Sequence, residues 1–86
     1  MYSLEFTRQV EKDLNKIYHS DRTLHQRFIN AFDDIAKHPE EGKKLHGQLS
    51  GLYSHRMGNY RIIYEVYHSK LLVIILDLGH RKDVYR

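Results

Sequence analysis

The chain has 86 residues, 41% of them hydrophobic, and carries a formal net charge of +3 with no cysteine. This length supports one hydrophobic core but not two, so residues 1–86 are expected to form a single domain. The composition excludes disulfides, thiolate zinc sites and a thiol nucleophile, and it fits a reducing cytoplasm.

The first half of the chain predicts a strand followed by two helices. Residues Tyr2 to Phe6 alternate in the manner of a half-buried strand, and Thr7 can cap the helix that follows. That helix extends to about His19, and Asp21 can cap a second helix that ends before Pro39. The apolar stripes of the two helices contain Val10, Leu14 and Ile17 in the first and Leu24, Phe28, Ala31, Phe32 and Ile35 in the second.

The next segment predicts a loop and a β-hairpin. Residues 39–51 are polar and contain three glycines and a proline, which is typical of a loop. Residues 52–57 and 60–67 alternate as strands do, and the dipeptide Gly58-Asn59 between them predicts a tight two-residue turn.

The last predicted strand, residues 71–76, follows a turn at residues 68–70 and precedes a polar tail. Because it is apolar on both faces, we expect it to be the most buried strand. The order β-α-α-β-β-β predicts an α+β domain with an N-terminal strand, a helical hairpin and then three to four mainly antiparallel strands. The helices are expected to pack on one sheet face, which leaves the other face for a ligand.

Positive charge is concentrated in the second half of the chain. Residues 1–41 hold six Lys/Arg against eight Asp/Glu, a net −2, whereas residues 42–86 hold eight against three, a net +5. Clustered cations favour a polyanionic partner because they displace the counterions condensed on a phosphate backbone. An ordinary solvated basic face is the alternative reading of the charge alone.

Two arginines of the predicted hairpin are candidates for phosphate binding. Arg61 points away from the more apolar face of its strand, and Arg56 lies across the turn from it. A guanidinium donates two hydrogen bonds to a phosphate and stays charged at ordinary pH. Lys43, Lys44 and His46 in the preceding loop can approach the same face. A pair of surface arginines that covers the sheet edges is the alternative that the pattern alone favours.

The residues after the last strand form a second group of candidates. His80 can exchange a proton near neutral pH, Arg81 can stabilise a charged phosphate, and Tyr85 can stack on a base or pass a proton. Lys82 and Arg86 add positive charge. A solvated polar tail is the alternative interpretation.

Several other classes of site lack their motifs. The seven His show no metal-ligand spacing, so no metal or cofactor is expected, and no phosphate-loop, serine-hydrolase or dinucleotide motif is present. The longest apolar run, residues 71–76, is far short of the ~20 residues of a membrane-spanning helix, and the N-terminus does not resemble a secretory signal. RNA cleavage needs none of these motifs, because the 2′-hydroxyl can itself attack the adjacent phosphate.

The chain resembles the RelE/ParE superfamily of toxins from toxin-antitoxin pairs, and most of all its RelE-like branch. The likeness extends almost from end to end. Its segments are the first strand, Asp13-Leu14-Asn15-Lys16-Ile17, His38-Pro39-Glu40-Glu41-Gly42-Lys43-Lys44-Leu45, residues 51–65 and Gly79-His80-Arg81-Lys82-Asp83-Val84-Tyr85.

This resemblance implies cleavage of mRNA in the ribosomal A site by a cluster of basic residues and a C-terminal tyrosine. Arg61 would stabilise the transition-state phosphate, Arg81 would stabilise charge or donate a proton, and Tyr85 would orient the nucleophile or stack on a base. Arg56 replaces a family lysine that helps to hold the phosphate, and Ser54 replaces a second one. As a hypothesis, His80 supplies part of the acid-base function. The expected RNA-binding residues are Lys43, Lys44, His46, His55, Lys82 and Arg86.

The resemblance also implies a cognate antitoxin that covers the basic face, with the ribosome and mRNA as further partners in the cytoplasm. Two alternatives remain at this point. A ParE-like member with the same fold would inhibit DNA gyrase and cleave no RNA, and a degenerate member would only bind an antitoxin or RNA.

Overall fold

The computed structural model describes residues 1–80, except the side chains of Leu49 and His80. The helices and strands are β1 Ser3–Phe6, α1 Arg8–Ser20, α2 Arg22–Lys37, β2 Lys43–Lys44, β3 Tyr53–Met57, β4 Tyr60–Tyr67 and β5 Leu72–His80. Within these residues, three short 3₁₀ helices connect them, Pro39–Glu41, Gly47–Leu49 and His68–Lys70. The α+β class and the order of the elements are as the sequence predicts.

Both helices begin at the predicted residues because a side chain caps each N-terminus. Thr7 Oγ1 accepts a hydrogen bond from the Val10 N–H at 3.3 Å, and Asp21 Oδ1 accepts one from the Leu24 N–H at 2.9 Å. The apolar stripes of α1 and α2 pack on one face of the sheet. The buried core consists of Val10, Phe28, Ala31, Phe32, Ile35, Tyr53, Ile62, Tyr64, Val73 and Ile75. Neither helix is long and apolar enough to cross a membrane.

The described strands form one mixed sheet in the order β1-β5-β4-β3-β2. β1 pairs in parallel with β5, and the other neighbours pair antiparallel. The helical hairpin therefore carries the chain from one edge of the sheet, at β1, to the other edge, at β2. These edges are four strand spacings apart, roughly 19 Å.

The hairpin between β3 and β4 has the predicted two-residue turn. Met57 pairs with Tyr60, and Gly58 adopts a φ of 60° at the first central position, where a glycine is favoured. Farther along β4 the pairing with β5 shifts, so that Ile63 faces Asp77 while the next residue, Tyr64, faces Ile75. Leu76 is the extra residue of this bulge, so Ile75 and Leu78 lie on the same sheet face although they are three positions apart.

Three sequence expectations are wrong in detail. Residues 39–51 are not only a loop, because Lys43–Lys44 pair with β3 as an edge strand that is too short to show a period of two. Leu71 does not begin the last strand; it has a φ of 49° and 57% exposure in the preceding turn. The longest buried stretch, residues 61–64, lies in β4 rather than β5, because β4 is the central strand of the sheet.

Candidate functional site

The two faces of β4 differ in chemistry although both are buried. Ile62 and Tyr64 point toward the helices and belong to the core. We call this side of the sheet the helix face. Arg61 and Ile63 therefore point to the opposite side, which we call the cleft face. Arg61 is only 9% exposed there, and Ser54 of β3 on the same face is 3% exposed. Among the described residues, Ser54 and Arg61 are the polar or charged residues that are buried.

The cleft face brings the predicted arginines together. Arg56 pairs directly with Arg61 across the β3–β4 hairpin, so their Cβ atoms are about 5 Å apart. The Arg61 Nη1 donates a hydrogen bond to Ser54 Oγ at 3.3 Å, which helps to fix the guanidinium. Two like charges at this separation concentrate positive potential, and a bound anion relieves their repulsion.

These residues line an open cleft with a volume of about 430 Å³ between β2, β3 and β4. Lys43 reaches the cleft because it pairs with Ser54 across the β2–β3 ladder. Glu41, at the end of the 3₁₀ helix before β2, contributes a carboxylate to the same lining. The complete lining is Glu41, Gly42, Lys43, Ser54, His55, Arg56 and Arg61. It thus combines three permanent cations with one carboxylate, Glu41, and one imidazole, His55, that can accept a proton.

The cleft wall formed by Glu41 to Lys43 is anchored to the helix face by Tyr64. The Tyr64 hydroxyl donates a hydrogen bond to the Pro39 carbonyl at 2.6 Å, and its ring stacks on Tyr53 with centroids 5.5 Å apart. Burial raises the pKa of Tyr64 to about 12, opposed in part by a hydrogen bond with the Gly42 backbone. A Cβ at Gly42 would collide with the Tyr64 hydroxyl, so this position requires glycine for close approach.

The structure separates Lys44 and His46 from the cleft, which corrects the expectation that they approach the same face as Lys43. Neighbouring side chains of a strand point to opposite faces, so Lys44 lies on the side of Tyr53, with its Nζ 6.0 Å from the ring centroid. Lys44 and His46 instead line a second pocket of about 460 Å³, together with His68 and other residues.

His55 also lies mainly on the helix face. It pairs with Ile62, whose side chain belongs to the core, and it interacts electrostatically with Asp34 on α2. Burial lowers the pKa of His55, and the Asp34 carboxylate opposes that shift. The imidazole is therefore placed away from the arginine pair, although His55 contributes to the cleft lining.

Several predicted site residues lie outside the described residues. They are Arg81, Lys82, Tyr85 and Arg86, together with the side chain of His80. The backbone of β5 does approach the arginine pair, because Gly79 pairs with Arg61 and His80 pairs with Tyr60.

Glu41 is the cleft residue that the sequence reading missed. It was assigned to a polar loop, and its approach to the arginines depends on the pairing of Lys43 with Ser54. No local sequence pattern marks this position, because the two-residue strand that follows it is too short to show a period of two.

Comparisons with known proteins agree with this fold. The sequence model described as the ParE toxin of the type II toxin-antitoxin system parDE matches residues 4–85. Toxin RelG of Mycobacterium tuberculosis is 36% identical over 86 residues, which cover 99% of this chain and 97% of RelG. The RelBE2 toxin-antitoxin complex of the same organism contains a chain with a TM-score of 0.81 and 32% identity, over 93% of this chain and 98% of that one. The archaeal RelE-RelB complex of Pyrococcus horikoshii contains one with a TM-score of 0.76 and 30% identity, over 95% and 97%.

The fold together with these matches identifies the chain as a toxin of the RelE/ParE superfamily. The chain belongs to the ParE toxin family of type II toxin-antitoxin systems and is homologous to the RelG and RelE toxins of Mycobacterium tuberculosis.

Proposed function

We propose that this toxin is a metal-independent endoribonuclease that cleaves mRNA in the ribosomal A site and so inhibits translation in the cytoplasm. The observation that carries the proposal is the cross-strand pair of Arg56 and Arg61, which lies in one cleft with Lys43 and Ser54. Arg61 is held by Ser54 and is nearly buried, so its donors are oriented before a substrate arrives.

The chemistry needs one proton acceptor, one proton donor and stabilisation of charge. The RNA 2′-oxygen forms a bond to the adjacent phosphorus while its proton passes to a base, for which Glu41 is the cleft carboxylate. The bond from phosphorus to the 5′-oxygen breaks, and that oxygen takes a proton. The products are a 2′,3′-cyclic phosphate and a 5′-hydroxyl.

The cations act on the phosphate during this displacement. The planar fork of Arg61 suits two non-bridging oxygens, and Arg56 and Lys43 add further positive charge. The family resemblance adds Arg81 as a charge stabiliser or proton donor and Tyr85 as the residue that orients the nucleophile or stacks on a base. His80 is proposed in addition to supply part of the acid-base function.

Primer extension on a defined mRNA in a purified translation system tests the proposal. Arg56→Gln is compared with Arg8→Gln, a matched change at an exposed residue that follows β1, the sheet edge opposite to the cleft. We expect cuts at the A-site codon that require ribosomes and that fall by about tenfold or more in Arg56→Gln, because a hydrogen bond to a charged group is lost. Equal cutting by the two variants would refute the role of the cleft.

A cognate antitoxin is part of the proposal. Its support is that the structural relatives RelBE2 and archaeal RelE-RelB are toxin-antitoxin complexes. The antitoxin is expected to cover the cationic cleft, so its addition should abolish cutting in the same assay, whereas an antitoxin that leaves cutting unchanged would place its binding elsewhere.

Inhibition of DNA gyrase is the second candidate function, and the match to the ParE family model favours it. A supercoiling assay with purified gyrase separates the two. Intact mRNA together with blocked supercoiling would replace the nuclease proposal. Binding of RNA without cutting or gyrase inhibition would indicate a member that only binds.

A further inference from the structure

The edge strand β2 divides two cation-lined cavities. Its two residues, Lys43 and Lys44, are both exposed, and their Cα atoms are about 3.8 Å apart. Lys43 lines the cleft that holds Arg56 and Arg61, whereas Lys44 lines the second pocket on the side of Tyr53. A ligand that crosses this edge can therefore contact both cavities.

The second pocket has the character of an anion site. Its lining provides one permanent cation, Lys44, and two imidazoles, His46 and His68, which carry charge only when protonated. Ser50 adds a hydroxyl donor, and none of the described lining residues is acidic. The complete lining is Lys44, Leu45, His46, Ser50, Gly51, Tyr53, Val66 and His68.

One carboxylate lies near this pocket and limits its charge. Glu40 Oε1 is 3.5 Å from His68 Nδ1, and the Tyr2 hydroxyl is 2.8 Å from the same nitrogen. These contacts occupy one ring nitrogen of His68 and orient the imidazole, while Glu40 itself does not line the pocket.

We propose that the second pocket is a phosphate subsite, which takes a phosphodiester of the same RNA strand that enters the cleft, so that the RNA passes over β2. This inference rests on the proposed nuclease function and extends it. RNA is the ligand because its backbone repeats phosphates on a flexible strand, and the three cations of the cleft and the single lysine of the second pocket lie on either side of a two-residue edge. The second pocket then contributes to affinity without contacting the cleaved bond.

The adjacent lysines provide a matched pair of variants for the test. Lys43→Gln removes a cation from the cleft, and Lys44→Gln removes one from the second pocket. Lys12→Gln, at an exposed position of α1, is the control. The probes are fluorescent 2′-O-methyl RNAs of about four and about twelve nucleotides, which cannot be cleaved and which span typical single-strand site sizes. Binding is measured against salt concentration. Ribosomes without mRNA form a second arm that reports contacts with ribosomal RNA.

The salt slope is the change in the logarithm of the binding constant with the logarithm of the salt concentration. We expect Lys43→Gln to lower its magnitude by about 0.7 with both oligonucleotides, the value for one phosphate contact with a single strand. Lys44→Gln is expected to lower it by a similar amount with the longer RNA, which can occupy both cavities, and by less with the shorter RNA. Lys12→Gln should change neither.

The arms separate the possible results. If Lys44→Gln weakens binding to ribosomes but not to the longer RNA, the second pocket is still a phosphate subsite. That result overturns the proposal that it binds the same RNA strand as the cleft. A Lys43 effect without any Lys44 effect overturns the subsite and leaves the nuclease proposal standing. No binding to RNA or ribosomes overturns both.

Discussion

The two faces of β4 bury their residues to a similar degree but with opposite chemistry. On the helix face, Ile62 and Tyr64 pack among apolar side chains of α1 and α2. On the cleft face, Arg61 and Ser54 are buried with their polar groups. Burial of an aliphatic side chain stabilises the fold by roughly 2 kcal/mol, whereas desolvating a guanidinium opposes folding by several kcal/mol before its contacts are counted.

This contrast separates the source of stability from the source of function. Desolvation offsets much of what the contacts of a buried guanidinium contribute, so the cleft face is expected to serve binding more than stability. Substitutions on the helix face should therefore change the free energy of unfolding, and substitutions on the cleft face should change activity. Four predictions test this division in order of decreasing effect.

The largest effect is expected for Phe28→Ala on the helix face. Phe28 is fully buried and contacts Phe32 and Tyr60 through its ring. Its removal should lower the free energy of unfolding by about 3–5 kcal/mol, through lost burial and a residual cavity. Urea unfolding measures this change, and Ile29→Ala on the exposed side of the same helix is the control. A loss below about 1 kcal/mol for Phe28→Ala would contradict the assignment of stability to this face.

Arg61→Met is the corresponding change on the cleft face. Methionine keeps an unbranched apolar stem but removes the hydrogen bond to Ser54, so the free energy of unfolding should fall by about 1 kcal/mol, well below the loss for Phe28→Ala. Cleavage should fall by about 100-fold or more, the effect of losing one transition-state donor. The two readouts are urea unfolding and primer extension. A marked loss of stability with normal cleavage per folded molecule would reverse the division between the faces.

Sequence patterns predicted most of the fold because its signals are local. The caps at Thr7 and Asp21 and the turn at Gly58-Asn59 each depend on residues that are close along the chain. The strand at Lys43–Lys44 was missed because its identity depends on pairing with β3, ten residues away. Burial of β4 likewise depends on its central position in the sheet, which no local pattern specifies.

For the site, the predicted hairpin turn was sufficient to place Arg56 and Arg61 on one surface, and the structure pairs them directly. It failed for Lys44 and His46 because a segment read as a loop has no defined faces. The role of Gly42 could not be predicted either, since the close approach of Tyr64 spans 22 residues of sequence. The chemical roles of these residues stay predictions.

Gly42→Ala tests whether the close contact between Gly42 in the cleft wall and Tyr64 on the helix face can adjust to an added methyl group. The added Cβ would meet the Tyr64 hydroxyl, so the wall that carries Glu41 and Lys43 must shift. We expect a loss of about 1–3 kcal/mol in the free energy of unfolding, as for other overpacked sites, and weaker cleavage.

Tyr64→Phe provides the matched control for this change. Alone it should cost about 1–2 kcal/mol, because the Pro39 carbonyl loses its hydrogen bond. In combination with Gly42→Ala, the loss should be smaller than the sum of the two single losses, because the colliding oxygen is absent. Additive losses in urea unfolding would show that Gly42 and Tyr64 do not compete for the same space.

The smallest effect concerns the pH dependence contributed by His55 on the helix face. Burial lowers the pKa of His55 below its usual value of 6.5 in the fold, whereas the unfolded chain keeps that value. Below pH 6.5 the unfolded state therefore binds a proton that the folded state does not, and stability from this group is lost as the pH falls. His55→Gln should flatten the decline in unfolding free energy between pH 7.5 and about 5.5, and Asp34→Asn should steepen it because the Asp34 charge opposes the shift. The effect is small because the imidazole is only half-buried. A His55→Gln profile parallel to that of the wild type would show that the imidazole is solvated in the folded state.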